Sequence, residues 1–124
     1  MPELPLPNFL VIGAQKSATR WLRLNLGRHP EVFTADHEIG FFNDIGRYDG
    51  AGPQWYREQF SGWAGEPHVG EATPGYMFWR HHPDRLAARI DETLPGVRLI
   101  AILRSEVSDK VVTSTTGTEF VFGA

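Results

Sequence analysis

The chain contains no cysteine among its 124 residues, so disulfides and thiolate metal sites are excluded, and a reducing compartment is compatible with it. It also lacks any apolar run approaching the roughly 20 residues that a helix needs to cross a bilayer. Its leading residues, MPELPLPN, have neither the basic start nor the apolar core of a secretory signal. The expectation is a cytoplasmic protein with no membrane partner. Net charge is small: 12 Lys and Arg against 15 Asp and Glu leave −3, which gives no electrostatic ground for a general nucleic-acid binder. No internal repeat is present.

What is there is ordinary for a folded protein, with 41% apolar and 22% charged residues. At this length the chain is one domain or part of one, and a compact chain of this size buries roughly two-thirds of its unfolded surface. NFLVIG (8–13) is a short continuous apolar run ending at glycine, the pattern of a parallel strand buried on both faces. SATRWLRLNLGRHP follows with helical spacing of Ala18, Trp21, Leu22 and Leu26, a hydroxyl at Ser17 or Thr19 for the N-cap, and Gly27 with Pro30 as a stop. EVFTA (31–35) and VGEAT (69–73) read as two further strands. The Gly-, Pro- and aromatic-rich segment 46–67 reads as a long loop around a short helix at PQWYREQF. Pro83 opens a helix whose stripe is Leu86, Ile90 and Leu94, and VRLIAIL (97–103) is the clearest buried strand.

Strands alternating with helices predict an α/β fold with a parallel sheet and flanking helices. Residues 108–124 hold six Ser or Thr and show neither helical nor strand periodicity. We therefore expect an N-terminal cofactor-binding part over 1–107 and a diverged or truncated tail over 108–124. An open sheet ending at LIAIL would leave its edge uncovered.

A strand-to-helix turn presents backbone N–H groups at the positive end of a helix and favours a bound phosphate or sulfate. In GAQKSATR, Lys16 adds a formal charge and Ser17, Thr19 and Arg20 add donors. The spacing is neither that of the nucleotide-triphosphate loop nor G-x-G-x-x-G. From these residues alone, an anion cradle and an ordinary turn with a solvated lysine read equally well.

Five segments in order carry more information: GAQKSATRWL, HEIGFFND (37–44), WYREQF (55–60), GEATPGYMFW (70–79) and LIAILR (99–104). Together they resemble the PAPS-dependent sulfotransferases, in the branch of the heparan sulfate enzymes and their bacterial relatives, over roughly residues 8–107. The resemblance implies a P-loop-NTPase-like sheet, truncated here, and transfer of a sulfonate from 3'-phosphoadenosine 5'-phosphosulfate (PAPS) to a hydroxyl or amine of a carbohydrate-like or small acceptor, without a metal. It implies that Lys16 stabilises the leaving oxygen, that Lys16, Ser17, Ala18, Thr19 and Arg20 hold the 5'-phosphosulfate, and that Arg104 holds the 3'-phosphate. Thr113 joins Arg104 only if one residue is inserted at Ser108. EIGFFND resembles EIHFFD, which makes Glu38 the base that takes the acceptor proton, with Ile39, Phe41 and Phe42 expected to withdraw it from water; His37 beside it is an alternative base. A surface or capping role is the plainer reading of Glu38. Relatives often carry a lysine where this chain has Ala72.

Two other readings stay in view: an inactive nucleotide-binding fragment of the same fold, and a nucleotide kinase-like protein. His29, His37, His68, His81 and His82 match no zinc spacing. Trp55, Tyr56, Trp63, Tyr76, Phe78 and Trp79 suit packing better than a sugar-stacking wall.

Overall fold

A computed structural model describes residues 3–13, 18–77, 83–104 and 109–115, with side chains described for all of these but 83–84, 103–104 and 109–115. The elements in chain order are β1 (Phe9–Gly13), α1 (Thr19–Leu26), β2 (Val32–Thr34), a π-helical turn (Gly46–Ala51) running into α2 (Gly52–Glu58), β3 (His68–Ala72), a 3-10 turn (Pro74–Met77), α3 (Pro83–Thr93), β4 (Arg98–Arg104) and β5 (Asp109–Thr115). The sheet order is β2-β3-β1-β4-β5. The first four strands are parallel, with Leu10 opposite Glu71 on one side and Leu99 on the other. Among the described residues no helix is long and apolar enough to cross a membrane.

The apolar run at β1 is explained by burial on two faces, which removes any need for polar alternation. Phe9 and Val11 pack with Leu22 and Leu26 of α1. Leu10 and Ile12 belong to a larger core with Leu86 and Ile90 of α3, Leu94 just beyond it, and Tyr56 and Phe60 from the α2 region. Each such side chain contributes about 1.5–3 kcal/mol by leaving water. The chain thus places α1 on one face of the sheet and the α2 and α3 regions on the other, the doubly wound arrangement that brings strand carboxyl ends to one rim.

Three sequence expectations are revised. The N-cap of α1 is Ala18, with no side-chain cap, and Thr19 is a buried first-turn residue rather than the cap. The segment after Gly46 is helical through Glu58, because Tyr56 and Phe60 are fully buried and draw that stretch onto the core. The segment after 108 supplies a strand: β5 pairs antiparallel with β4 from Arg98 opposite Thr115 to Arg104 opposite Asp109, covering the β4 edge expected to be open. Its β-branched and hydroxyl residues suit a strand without apolar alternation, which is why periodicity did not reveal it.

Candidate functional site

Beyond the carboxyl end of β3 lies an open cleft of about 350 Å³, lined by Glu38, Gly40, Asn43, Asp44, Arg47, Thr73 and Gly75. Its floor is made by the segment 38–44, which belongs to no strand or helix. Ile39, Phe41 and Phe42 are each at most 1% exposed and anchor the segment from beneath. Phe41 stacks on Tyr56 with centroids 4.4 Å apart and meets Phe42 edge-on at 5.1 Å. Those apolar neighbours point into the core, so Glu38 is left exposed on the cleft side. The expected enclosure of Glu38 by Ile39, Phe41 and Phe42 is not what the fold produces.

Side chains from three other parts of the chain hold the backbone of this segment. Arg47 Nη1 donates to the Ile39 carbonyl (2.7 Å) and Arg89 Nη1, from α3, to the Phe42 carbonyl (2.8 Å). The Gly40 amide donates to Thr73 Oγ1 (3.2 Å) and the Phe41 amide to the Tyr76 hydroxyl (3.0 Å). Gly40 adopts φ 64°, and a Cβ there would stand 3.2 Å from Arg47 Nη1 and 3.3 Å from Asn43 Oδ1. Glycine is what this left-handed, crowded position accepts. Arg47 also lies over the Trp55 ring at 5.4 Å, and its backbone amide donates to Asp44 Oδ1 (3.2 Å).

Beneath the cleft sits a carboxylate that sequence reasoning passed over. Glu71, on β3, is fully buried. It accepts from the Tyr56 hydroxyl, from Thr73 Oγ1 (2.5 Å), and from the Tyr76 hydroxyl through both oxygens (3.0 and 3.1 Å). Burial pushes its carboxyl above the ordinary range, against the three hydroxyl hydrogen bonds that favour the charged form. Burial, and then the Glu71 charge, push both tyrosines well above theirs. An acid inside a stretch read as a strand was the available signal. Arg47, in a segment read as loop, offered none.

Lys16 and Ser17 lie outside the described residues. Ala18 and Arg20 are exposed at the start of α1 and Thr19 is buried. Ala18 carries no hydroxyl, so among the described residues no side chain caps the first-turn amides of α1, a condition under which such amides suit an anion. Arg104 ends β4, its side chain outside the described set; β1 pairs β4 through Gly13 opposite Ala101, so both strands reach the same rim. Thr113 is opposite Ile100, four residues and roughly 13 Å back along β4 from Arg104. The register does not bring Thr113 to Arg104.

No protein-family model matches the chain. It is 39% identical over 110 residues to the membrane-associated sulfotransferase kil1 of Dictyostelium discoideum, covering 84% of this chain and 21% of that protein. It is 35% identical over 99 residues to heparan sulfate glucosamine 3-O-sulfotransferase 5 of Homo sapiens, covering 80% of this chain and 27% of that protein. A solved sulfotransferase from Alicyclobacillus acidocaldarius superposes with a TM-score of 0.64 at 26% identity, over 78% of this chain and 44% of that one. The chain is sulfotransferase-like. It spans about a fifth to a quarter of the length of those two curated relatives.

Several further details belong to the surroundings of the site in this sulfotransferase-like chain. Ala72, where relatives often carry lysine, packs with Phe9 and Val11 on the α1 face, so no cation stands there. Gly40 takes the histidine place of the resembled EIHFFD. His37 Nδ1 and Asp36 Oδ1 are 2.7 Å apart at the surface, and the hydrogen bond and charge of His37 hold Asp36 below the usual carboxylate range. Tyr56 and Tyr76 are core residues and Trp55 and Trp63 pack against the core; Phe78, Trp79, His81 and His82 lie outside the described residues. Among the described residues no group of three or more His, Asp or Glu side chains is placed to hold a metal.

Proposed function

We propose that the chain forms the donor-binding part of a PAPS-dependent sulfotransferase acting on a carbohydrate-like acceptor. The observation that carries this reading is the placement of the Glu38 cleft at the same strand rim from which the Lys16 segment departs, between Gly13 of β1 and Ala18 at the head of α1. The fit to the donor rests on the α1 amides, which no side chain caps among the described residues and which suit its phosphate oxygens. When bound, the donor supplies an activated sulfonate on a phosphate leaving group.

Ser17, Ala18, Thr19 and Arg20 are assigned to the 5'-phosphosulfate and Arg104 to the 3'-phosphate. Lys16 is assigned to the bridging oxygen, where negative charge grows as that bond breaks; a fixed cation there favours the transition state over the ground state. Glu38, exposed to the cleft, takes the proton of the attacking hydroxyl or amine. Asn43, Asp44, Arg47 and Thr73 give the cleft the mixed donors and acceptors that sugar hydroxyls need, in keeping with relatives named as heparan sulfate glucosamine sulfotransferases.

The test is transfer of labelled sulfonate from PAPS to a panel of sugar, phenol and amine acceptors. Lys16→Ala and Glu38→Gln should each lower kcat by roughly two to three orders of magnitude. A change confined to KM would remove the catalytic roles, and transfer to no acceptor would favour an inactive nucleotide-binding fragment.

A further inference from the structure

The segment 39–42 has no regular partner, yet each of its four residues has one backbone group gripped by a side chain. The two carbonyls, of Ile39 and Phe42, are held by arginines. The two amides, of Gly40 and Phe41, are held by hydroxyl oxygens. A hydroxyl has one proton, so an oxygen that receives an amide must send that proton elsewhere. For Thr73 and for Tyr76 the recipient is Glu71.

From this geometry we infer that Glu71 is a positioning residue for the cleft. By accepting the protons of Thr73 and Tyr76 it leaves their oxygens free to accept the Gly40 and Phe41 amides, and so holds the segment that begins at Glu38 over the end of β3. The function of that hold rests on the reading of the cleft as the acceptor site; the hold itself does not.

Two features make the direction of the network determinate. Both outer ends are backbone N–H groups, which only donate, so every bond between them and Glu71 must run inward. At the centre, Tyr56 supplies a third hydroxyl from α2, and a carboxylate is the side chain that can accept from all three at once without donating to any. Glutamine has nearly the same shape but places an NH2 group among donors. Turned towards Thr73, that group forces the hydroxyl that accepts the Gly40 amide to reverse. Turned towards Tyr56, it leaves a buried hydroxyl proton without an acceptor. Either way it faces the Tyr76 hydroxyl, which contacts both oxygens and accepts the Phe41 amide. Glu71's hydrogen bonds among the described residues are these hydroxyls, and those of Thr73 and Tyr76 converge on two consecutive residues of the cleft floor.

Amide hydrogen exchange of the whole chain, resolved by residue, tests this without donor or acceptor. In Glu71→Gln, Gly40 and Phe41 should exchange about tenfold faster or more, while Leu10 and Val11 of β1 keep their protection. Unchanged exchange at Gly40 and Phe41 in a folded variant would overturn the inference, and so would an equal rise at all four positions. If Glu71→Gln does not fold, Thr73→Val carries the same test: Gly40 should accelerate while Phe41, tied through Tyr76, keeps most of its protection, and equal behaviour of the two overturns it. Failure of the sulfotransferase reading shows separately, as a wild-type chain that binds no adenosine 3',5'-bisphosphate and still protects both amides.

Discussion

Replacing Tyr76 by phenylalanine removes one oxygen and leaves the ring, which is 1% exposed and meets Phe42 edge-on at 5.6 Å. The lost hydroxyl donates to both Glu71 oxygens and accepts the Phe41 amide. A hydrogen bond to a charged group contributes about 1.5–3 kcal/mol, and a buried amide left without a partner costs about 1–3 kcal/mol. The two losses share one network and do not add fully, so we expect about 3–4 kcal/mol. Against a total of about 5–15 kcal/mol for a domain, that is severe without being fatal. For a chain of this length it corresponds to roughly 10–15 °C in Tm. Urea titration at pH 7 with a parallel thermal melt gives both numbers. Tyr48→Phe is the comparison, since its hydroxyl meets Glu92 Oε2 (3.0 Å), Thr93 Oγ1 (3.3 Å) and the Arg89 carbonyl (3.5 Å) in a half-buried setting and holds no backbone amide among the described residues, so its loss should stay within about 1 kcal/mol. A cost for Tyr76→Phe below about 1 kcal/mol would refute the reasoning, because it would mean that neither the carboxylate nor the amide depends on that oxygen.

Gly70 is opposite Phe9 in the parallel register, and a Cβ there would overlap the Phe9 ring at Cε2, Cζ and Cδ2. Gly70→Ala should therefore cost about 1–3 kcal/mol by overpacking, and adding Phe9→Leu should recover part of it in urea titration; a double variant less stable than Gly70→Ala alone would contradict the steric account. For Glu71, burial raises the folded-state pKa above the ordinary 4.5, so the folded chain holds a proton where the unfolded chain has lost it. Wild-type stability should therefore fall relative to Glu71→Gln as pH rises from 4.5 through the folded value, above which the ionised carboxylate with its three inward hydroxyls is the form present; a relative gain over that window would contradict the sign.

Much of the sheet was legible because burial writes itself into sequence. FLVI and LIAIL are apolar on both faces, and Pro83 with the Leu86–Ile90–Leu94 stripe marks α3 at its first residue. β5 was not legible, since KVVTST alternates nothing and its pairing depends on the free edge of β4. At the candidate site, the order of motifs drew attention to EIGFFND, and Glu38 does line the cleft. The fate of its neighbours could not be read there: which of Ile39, Phe41 and Phe42 face the core depends on Tyr56 and Tyr76, distant in sequence. Glu71 was overlooked for a related reason. Its partners lie 2, 5 and 15 residues away, and no single spacing rule joins a strand, a turn and a helix into one network.

The central claim, that the rim formed by β1, α1 and β4 is built for a 3'-phosphorylated adenosine phosphosulfate, is tested most directly by calorimetric titration of the chain with adenosine 3',5'-bisphosphate and with ATP under one set of conditions. The account predicts that the bisphosphate binds more tightly by about tenfold or more, a difference that one charge-assisted contact from Arg104 to the 3'-phosphate supplies. Equal affinity for the two nucleotides, or tighter binding of ATP, would contradict it.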